Sequence, residues 1–342
     1  QTGLNPETIT NVTVTNLVAS DWNTGIFLER VTDSTVSETT VIENQIGIHL
    51  FGANGNSGHT VVDTTGTVND RAILLEGTQS STIQRGSLSD NRVGVELRQA
   101  SSNTVSDITA NTSTDAGISL VSSGPTNTVN NVTLDGTTVD LEGENVALGT
   151  VVSEPPGPLG KPSIDRYVDV TSTGPNTAVD LRMYYADEDV TQLNESTLRM
   201  WRYDGAWSPV SGTNEVDEAG NYVFTSTTQV GVFAPVGSLD TVYRVNTGGS
   251  GISTLSGSQD WSADTKADPS PYVNTDTAGN QTYSVADSIT LGSSVPSGTP
   301  TEVFQTERYD PGSGAEMQWD FPVQSGETYE VRLYFAEIFE TS

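Results

Sequence analysis

A short pattern of apolar residues recurs through the first 150 residues of the chain. In its first register a small residue precedes Ile or Val and the run closes on Leu, with copies 22 to 25 residues apart that begin at Gly25, Gly47, Ala72, Gly94 and Gly117. A second register keeps step with it as single β-branched residues, usually flanked by Thr, Ser or Asn, at Val14, Val36, Val61, Ile83, Val105 and Val129. Two registers at one period predict six consecutive structural repeats.

Each repeat contains two or three short β-type runs separated by Asn, Asp, Gly and Ser, with no helical periodicity between them. One such unit cannot bury its apolar face alone, whereas stacked units place Ile over Ile and Leu over Leu in a continuous core. The pattern therefore predicts a right-handed parallel β-helix over residues 1–153. Asn and Thr at the turns are expected to form side-chain ladders and to tolerate left-handed backbone conformations.

These repeats resemble the parallel β-helix repeats of pectate-lyase-like proteins and of periplasmic copper-processing proteins. The resemblance covers roughly residues 1–150 and specifies architecture rather than activity. Since many such relatives act on polysaccharides, an enzyme acting through the β-helix is one alternative, and it needs converging carboxylates. The candidate acids are Glu29, Asp63, Asp70, Asp90, Glu96, Asp107 and Asp115. Their candidate basic partners are Arg71, Arg92 and Arg98. The competing interpretation is that these acids lie at solvated turns. His49 either faces solvent beside its inward neighbours or belongs to a substrate face.

The pattern changes after a proline-rich segment at residues 154–162, which holds four prolines in nine residues and predicts a linker. Alternating β-type runs follow at 167–170, 179–185, 197–203 and 221–224, and Asp204-Gly205 is a hairpin signal. We expect a small antiparallel β-sandwich over residues 163–237. It resembles a β module that recurs in large surface proteins of archaea and bacteria, which implies no activity.

An acidic turn at residues 187–189 offers weak calcium ligands in Asp187 and Asp189. The three acids lack the regular spacing of a dedicated Ca²⁺ loop, so a solvated or capping turn is the competing interpretation. Calcium is the only cofactor that the sequence suggests.

The last hundred residues carry the most specific motifs. In order they are YRVNTGG from Tyr243, QTERY from Gln305 and YEVRLYFAEIF from Tyr329. This ordered set resembles the malectin family, whose fold is a jelly-roll β-sandwich that binds oligosaccharides. We expect such a domain over residues 238–342, with 329–335 as a half-buried strand whose outer face is charged. The resemblance also implies further strands, so we expect the sandwich to be completed beyond Ser342 or by another chain.

Aromatic residues near strand ends provide flat apolar faces for sugar rings, and neighbouring polar groups orient hydroxyls. The candidate carbohydrate-binding residues are Tyr243, Trp261, Tyr309, Asn246, Asp264, Glu307 and Arg308. By resemblance to malectin the contact role falls on Tyr243 and Tyr309, and less directly on Asp264. The alternatives are that Tyr243 packs inward at a strand start and that Glu307 and Arg308 form a buried ion pair.

Composition restricts the partners. The chain has 44 Asp and Glu against 14 Lys and Arg, for a net charge of -30, and only two lysines. A surface this negative argues against binding nucleic acid. No apolar run approaches the ~20 residues of a membrane span, so we expect no direct membrane insertion. Cysteine is absent and histidine occurs twice, which argues against a multi-histidine metal site. The acidic, lysine-poor balance resembles that of proteins from halophilic archaea.

Together these patterns predict an all-β chain: a parallel β-helix followed by two antiparallel β-sandwich domains. We expect a non-catalytic, secreted or cell-surface protein that binds carbohydrate or glycoprotein glycans in an adhesin-like role. One alternative is a structural subunit of an extracellular filament, sheath or surface layer, whose partners are neighbouring copies of the chain. The other is the polysaccharide lyase or glycoside hydrolase described above.

Overall fold

The computed structural model describes residues 9–52, 57–123, 126–157, 162–191, 193–239, 241–253, 261–274, 279–292, 295, 299–312, 316–323 and 329–339. The chain divides into two compact units, unit 1 at Gln1–Leu239 and unit 2 at Asp240–Ser342. Within the described residues both units are built from β-strands, and no helix has the length and apolarity needed to cross a bilayer.

Among its described residues, unit 1 contains two large sheets, one small two-stranded sheet and one 3₁₀ turn at Asp187–Val190. Its strands among the described residues are β1 (Ile9–Thr10), β2 (Thr13–Thr15), β3 (Val18–Ser20), β4 (Thr24–Glu29), β5 (Val31–Thr32), β6 (Thr35–Ser37), β7 (Thr40–Ile42), β8 (Ile46–Phe51), β9 (Thr60–Val62), β10 (Thr65–Thr67), β11 (Arg71–Glu76), β12 (Thr82–Ser87), β13 (Val93–Arg98), β14 (Thr104–Thr109), β15 (Ala116–Val121), β16 (Thr128–Leu134), β17 (Thr137–Glu144), β18 (Val146–Gly149), β19 (Val168–Ser172), β20 (Ala178–Tyr184), β21 (Leu193–Tyr203), β22 (Trp207–Pro209), β23 (Thr213–Asp217), β24 (Tyr222–Thr227) and β25 (Gly231–Leu239).

The predicted solenoid is confirmed in its pairing. In sheet 1, strands β4, β8, β11, β13 and β15 stack in parallel, and the first apolar register aligns across all five coils. In sheet 2 the second register aligns through β2, β6, β9, β12, β14 and β16, from Val14 to Val129. The aligned residues Ile48, Ile73, Leu75 and Leu97 are fully buried. Stacking therefore supplies the core that a single repeat lacks.

Single residues in the left-handed conformation turn the chain at the same place in each coil. One stack has φ values of 50° to 54° and contains Asn16, Glu38, Asp63, Arg85, Asp107 and Asn131. Asn and Asp adopt this conformation more readily than other non-glycine residues. The amide of Asn16 donates to Ser37 O at 3.2 Å and that of Asp63 to Gln84 O at 3.2 Å, so the inter-coil hydrogen bonding continues around the corner.

Buried polar side chains form two ladders along the solenoid. In the first, Asn44, Asn69 and Asn91 lie in successive coils and are each at most 3% exposed. The Nδ2 of Asn44 donates to Asn69 Oδ1 at 3.0 Å, and the Nδ2 of Asn69 donates to Asn91 Oδ1 at 2.9 Å. The second ladder holds Ser34, His59, Ser81, Asn103 and Asn127. The predicted side-chain ladders are therefore present, and they are buried.

His59 differs from the other members of the second ladder, which are Ser and Asn residues. It is 1% exposed, and neither ring nitrogen has a hydrogen-bond partner. Its backbone N–H donates to Ser81 Oγ at 3.2 Å, as the N–H of Ser81 donates to Asn103 Oδ1 at 2.9 Å. Burial lowers the pKa of His59 from its ordinary 6.5, and the nearby Asp33 opposes that shift. A neutral imidazole is therefore the form that the fold accommodates.

This arrangement predicts that His59→Asn stabilises unit 1, because asparagine supplies the amide that Asn103 and Asn127 provide in later coils. The gain at pH 7.5 should be about 1 kcal/mol, the net worth of one hydrogen bond. Below pH 6.5 the unfolded chain binds a proton at His59 that the folded chain does not bind. The stability of the wild type therefore decreases as the pH is lowered, and the gain from the variant grows. Urea unfolding at pH 7.5 and pH 5 measures both.

Burial lowers the pKa of His49 as well, so the pH-dependent change must be read as the difference between wild type and His59→Asn. A difference that stays constant between pH 7.5 and pH 5 would contradict a buried, neutral His59.

Both sheets continue past the solenoid by antiparallel pairing. Sheet 1 extends from β15 through β18, β19, β25, β21 and β22, and sheet 2 extends from β16 through β17, β20, β24 and β23. One hydrophobic cluster runs from Ala19 in the first coil to Phe233 in β25. The predicted hairpin is present, with Tyr203 opposite Trp207 and Gly205 at φ 77°.

The proline-rich segment contacts the strands that follow it. The indole of Trp207 donates to Pro156 O at 2.5 Å, and the N–H of Gly237 donates to Pro162 O at 3.1 Å. Residues 158–161 lie outside the described residues. Strands before and after this segment share two sheets and one core. The boundaries at 153, 163 and 237 stay predictions.

Unit 2 contains two short two-stranded ladders among the described residues. They pair β26 (Val245–Thr247) with β27 (Ser262–Asp264) in parallel, and β28 (Gln281–Ser284) with β29 (Thr306–Tyr309) antiparallel. A 3₁₀ turn at Thr301–Phe304 precedes β29. The hydrophobic core of unit 2 contains Trp261, Val303 and Phe304.

The expected strand at 329–335 is wrong in two respects. Among the described residues 329–339 no strand ladder forms, and the outward positions are apolar rather than only charged: Leu333 is 71% exposed and Phe335 82%. Tyr334 and Ala336 pack against the core of unit 2 instead. Alternation alone does not determine which face of a segment turns inward when apolar residues occupy both faces.

Candidate functional site

A buried polar cluster in unit 2 forms around Asp264 and Arg308. The guanidinium of Arg308 donates from Nη2 to Asp264 Oδ1 at 2.6 Å and from Nε to Oδ2 at 2.7 Å, and both side chains are at most 2% exposed. The carboxylate also accepts the amides of Gly248 at 3.0 Å and Ser270 at 2.9 Å. Arg308 further donates to Asn280 Oδ1 at 2.6 Å. The cluster thus joins segments that are distant in the sequence.

The ion pair expected between neighbours Glu307 and Arg308 is therefore corrected. Successive residues of a strand point to opposite faces, so the side chain of Arg308 turns inward while that of Glu307 stays half-buried on the other face. The partner of Arg308 is Asp264, 44 residues earlier. Sequence adjacency suggested the wrong carboxylate.

Asn246 and Trp261 are also buried. The amide of Asn246 donates to Ser250 O at 2.8 Å, and its Oδ1 accepts the hydroxyl of Thr306 at 2.9 Å. Trp261 is 9% exposed and makes an edge contact with Tyr334 at a centroid distance of 5.7 Å. In this arrangement both residues fix the loop Gly248–Ile252 against β27 and β29.

The more exposed candidates lie elsewhere in unit 2. Tyr309 is 41% exposed at the end of β29, opposite Gln281. Tyr243 belongs to a cluster of four aromatic side chains, which we call the aromatic patch: Tyr243, Tyr272, Trp319 and Phe321. Ring centroids in this patch lie 4.9 to 6.0 Å apart. Phe321 is 39% exposed, and the other three rings are partly exposed.

Hydrogen bonds between two segments hold the aromatic patch together. Val273 and Trp319 form an antiparallel bridge, and the amide of Asp320 donates to Tyr272 O at 2.8 Å. The amide of Gln318 donates to Asn274 Oδ1 at 2.8 Å, while the Tyr243 hydroxyl donates to Pro322 O at 2.5 Å. Sequence reasoning missed Tyr272, Trp319 and Phe321. The bridge that joins Trp319 to Val273 depends on the fold, so the sequence alone did not bring these rings together.

The calcium candidates of unit 1 are engaged by protein groups. Asp189 Oδ2 accepts Arg166 Nη2 at 2.8 Å and the amide of Ala186 at 2.9 Å, and Asp187 Oδ1 accepts Asn221 Nδ2 at 2.6 Å. Across the described residues no group of three or more His, Asp or Glu side chains is placed to hold a metal ion. The geometry is that of a capped turn.

The solenoid acids pair mainly with arginines. Glu96 is 3% exposed on the outer face of sheet 1, where Arg71 Nε donates to its Oε2 at 2.5 Å and Arg98 donates to its Oε1. Arg92 donates a hydrogen bond to Asp115 at 2.5 Å and another to Asp70. The hydrogen bond from Arg92 lowers the pKa of the Asp70 carboxyl. A second group is exposed at the turns of sheet 2, where Arg85 bonds Asp63 at 2.8 Å. These acids form an ion-pair ladder and separate turn contacts.

Comparison with known proteins matches two family models. The first, described as periplasmic copper-binding protein (NosD), matches residues 5–148. The second, described as a malectin domain, matches residues 241–342. A search of the curated proteins finds no match to the chain.

Copper does not fit the residues of the first match. Copper in proteins is held by imidazole, thiolate or thioether ligands. The chain has no cysteine, and its three methionines, Met183, Met200 and Met317, lie outside residues 5–148. Of the two histidines, His49 is bonded through Nε2 to Glu76 at 3.1 Å and His59 is 1% exposed. The matched region therefore provides the solenoid without a copper centre among its described residues.

The two matches coincide with the two architectures seen in the structure. The in-register solenoid coils lie within residues 5–148, and the aromatic patch lies within residues 241–342. The second match implies carbohydrate binding. The chain therefore combines a NosD-family β-helix repeat region with a malectin domain.

Proposed function

We propose that this is a non-catalytic protein located outside the cytoplasm that binds glycans through the aromatic patch of its malectin domain, in an adhesin-like or glycan-recognition role. The observation that carries the proposal is the group of four partly exposed rings in mutual contact. Each ring offers a flat apolar face, and a sugar ring buries its C–H groups against such a face. The description of the first family as periplasmic supports a location outside the cytoplasm.

Polar groups at the edge of the aromatic patch suit sugar hydroxyls. Gln318 and Asp320 are exposed beside Trp319, and Asn274 is fixed by its contacts with Gln318 and Glu316. A few fixed polar groups around an apolar surface orient a ligand and give specificity. Among the candidates from sequence, Tyr243 would contact the glycan. Asp264, Arg308 and Asn246 would act as positioning residues, because they are buried and hold the strands.

We expect Trp319→Ala to weaken glycan binding at least tenfold, because it removes one face of the aromatic patch. Trp319→Phe keeps an aromatic face and should retain most of the affinity. The measurement is a glycan array on the full chain in high salt, followed by calorimetric titration with the glycans that bind.

Phe335→Ala is the matched control, because Phe335 is an aromatic residue of the same unit that is 82% exposed and outside the aromatic patch. Near-ultraviolet circular dichroism checks that each variant is folded. Equal loss of binding in Trp319→Ala and Phe335→Ala, or no binding by folded wild type on the array, would overturn the proposal.

A further inference from the structure

A pocket of about 380 Å³ opens on the outer face of sheet 1 at its first two coils. Its lining residues are Asn23, Thr24, Phe27, Ile46, His49 and Phe51. The parallel register places Phe27 beside His49 and Thr24 beside Ile46, with Phe51 two residues along the same strand as His49. The pocket lies in unit 1, whereas the aromatic patch lies in unit 2.

Three rings form the apolar wall of this pocket. The Phe27 centroid lies 5.1 Å from that of His49 and 6.3 Å from that of Phe51, and the His49 and Phe51 centroids are 5.7 Å apart. Phe27 is 49% exposed although the inward residues on either side of it, Ile26 and Leu28, are buried. The outward ring is not needed for the solenoid core, and its exposed face is free to stack on a flat, partly apolar ligand.

His49 supplies a directed polar group at the same wall. Its Nε2 lies 3.1 Å from Glu76 Oε2 in the next coil. A carboxylate accepts hydrogen bonds, so Nε2 carries the hydrogen and Nδ1 carries a lone pair. Burial lowers the pKa of His49, which favours this neutral form. A ligand hydroxyl can donate to Nδ1, and the exposed Asn23 amide can both donate and accept.

The charge of the pocket narrows the ligand class. None of its six lining residues carries a formal charge when His49 is neutral, although the chain as a whole has a net charge of -30. Anionic ligands are repelled by the surrounding field. A quaternary ammonium group also stacks on aromatic faces, but it has no hydrogen to donate to His49 Nδ1. Stacking faces with hydroxyl-directed polar groups fit an uncharged sugar.

We infer that this pocket is a second glycan site. In it, Phe27 and Phe51 stack on a pyranose ring of an uncharged oligosaccharide, and His49 accepts a hydrogen bond from one of the sugar hydroxyls. The site is independent of the malectin domain and does not rest on the proposed function. It gives the solenoid a binding role in addition to its role as a scaffold.

The two histidines make a sharp test. Since His49 and His59 are the only histidines of the chain, imidazole NMR signals of the full-length protein report on the pocket and on a buried reference. Titration with the neutral tetrasaccharides of β-1,4-glucose, β-1,4-mannose, β-1,4-N-acetylglucosamine and α-1,4-glucose should shift the His49 signals with at least one of them. The His59 signals should stay unchanged.

Phe27→Ala should weaken the His49 response at least tenfold, and Phe27→Tyr should preserve it. Trp319→Ala should leave the response intact, because Trp319 lies in unit 2, so failure of one site is distinguishable from failure of the other. The inference is overturned if no tetrasaccharide moves the His49 signals, if Phe27→Ala responds like wild type, or if tetramethylammonium moves them where sugars do not.

Discussion

Asp264→Asn should lower the free energy of unfolding of unit 2 by about 3–5 kcal/mol, the usual cost of leaving one buried charge of a pair without its partner. Arg308 is 2% exposed at its side chain and directs three of its contacts to Asp264. The neutral amide removes the balancing charge and turns an N–H group toward a guanidinium that can only donate. Hydrogen exchange at β27 and β29, followed by mass spectrometry of the full chain, localises the loss to unit 2.

Glu330→Gln is the matched control, because Glu330 and Arg332 form an ion pair of the same unit with side chains 41% and 51% exposed. An exposed pair of this kind contributes about 0–1 kcal/mol. Removing both buried charges, in Asp264→Leu with Arg308→Met, should cost less than the sum of the two single variants. A loss below 1 kcal/mol in Asp264→Asn, or equal losses in Asp264→Asn and Glu330→Gln, would contradict the central role of this pair.

The sequence predicted the solenoid well because its register is set by a local period. Val14, Val36 and Val61 are aligned in the structure as their spacing required, and each coil contacts only its neighbours. The polar ladders follow from the same period, since a residue type that suits one turn meets its counterpart in the next coil. The period does not determine which residue type occupies each ladder position. Nothing in the pattern indicated that His59 occupies a position held in the other coils by Ser and Asn.

Contacts between distant segments were less accessible. Arg308 and Asp264 are 44 residues apart, and no period relates them, so the neighbouring Glu307 was the only partner that adjacency suggested. Tyr272 was not predicted as a site residue for the same reason: its contact with Phe321 depends on how two loops pair. The continuity of both sheets across the proline-rich segment is also non-local, since it depends on β17 pairing with β20.

The pocket at Phe27 illustrates a third case. Both Phe27 and His49 were visible in the first repeat register, and the alternative of a substrate face was open for His49. The sequence gives their position in the repeat but not which outward neighbours come within contact distance. The parallel register of β4 and β8 brings the two rings to 5.1 Å. Function on a solenoid face therefore depends on which outward residues coincide across coils, while the core depends on the inward ones.

Asn69→Leu should destabilise unit 1 by about 3 kcal/mol, because it breaks the interior rung of a fully buried ladder. The Asn69 amide donates to Val41 O at 2.9 Å and to Asn91 Oδ1 at 2.9 Å, and its oxygen accepts the backbone N–H of Asn44 at 3.0 Å. Each buried group left without a partner costs about 1–3 kcal/mol, and leucine gains only part of that back by burying apolar surface. Urea unfolding of the full chain measures the loss.

The loss should be localised, because each coil of a solenoid is stabilised mainly by its neighbours. Hydrogen exchange is expected to rise in β7, β8 and β11, which flank the substituted rung, while β20 and β24 stay protected. Gln45→Leu is the matched control: it places the same leucine one residue from Asn44 at an exposed position and should change stability by less than about 0.5 kcal/mol. Equal effects of the two leucines, or a rise in exchange spread evenly over all strands of unit 1, would show that the asparagine ladder does not hold adjacent coils together.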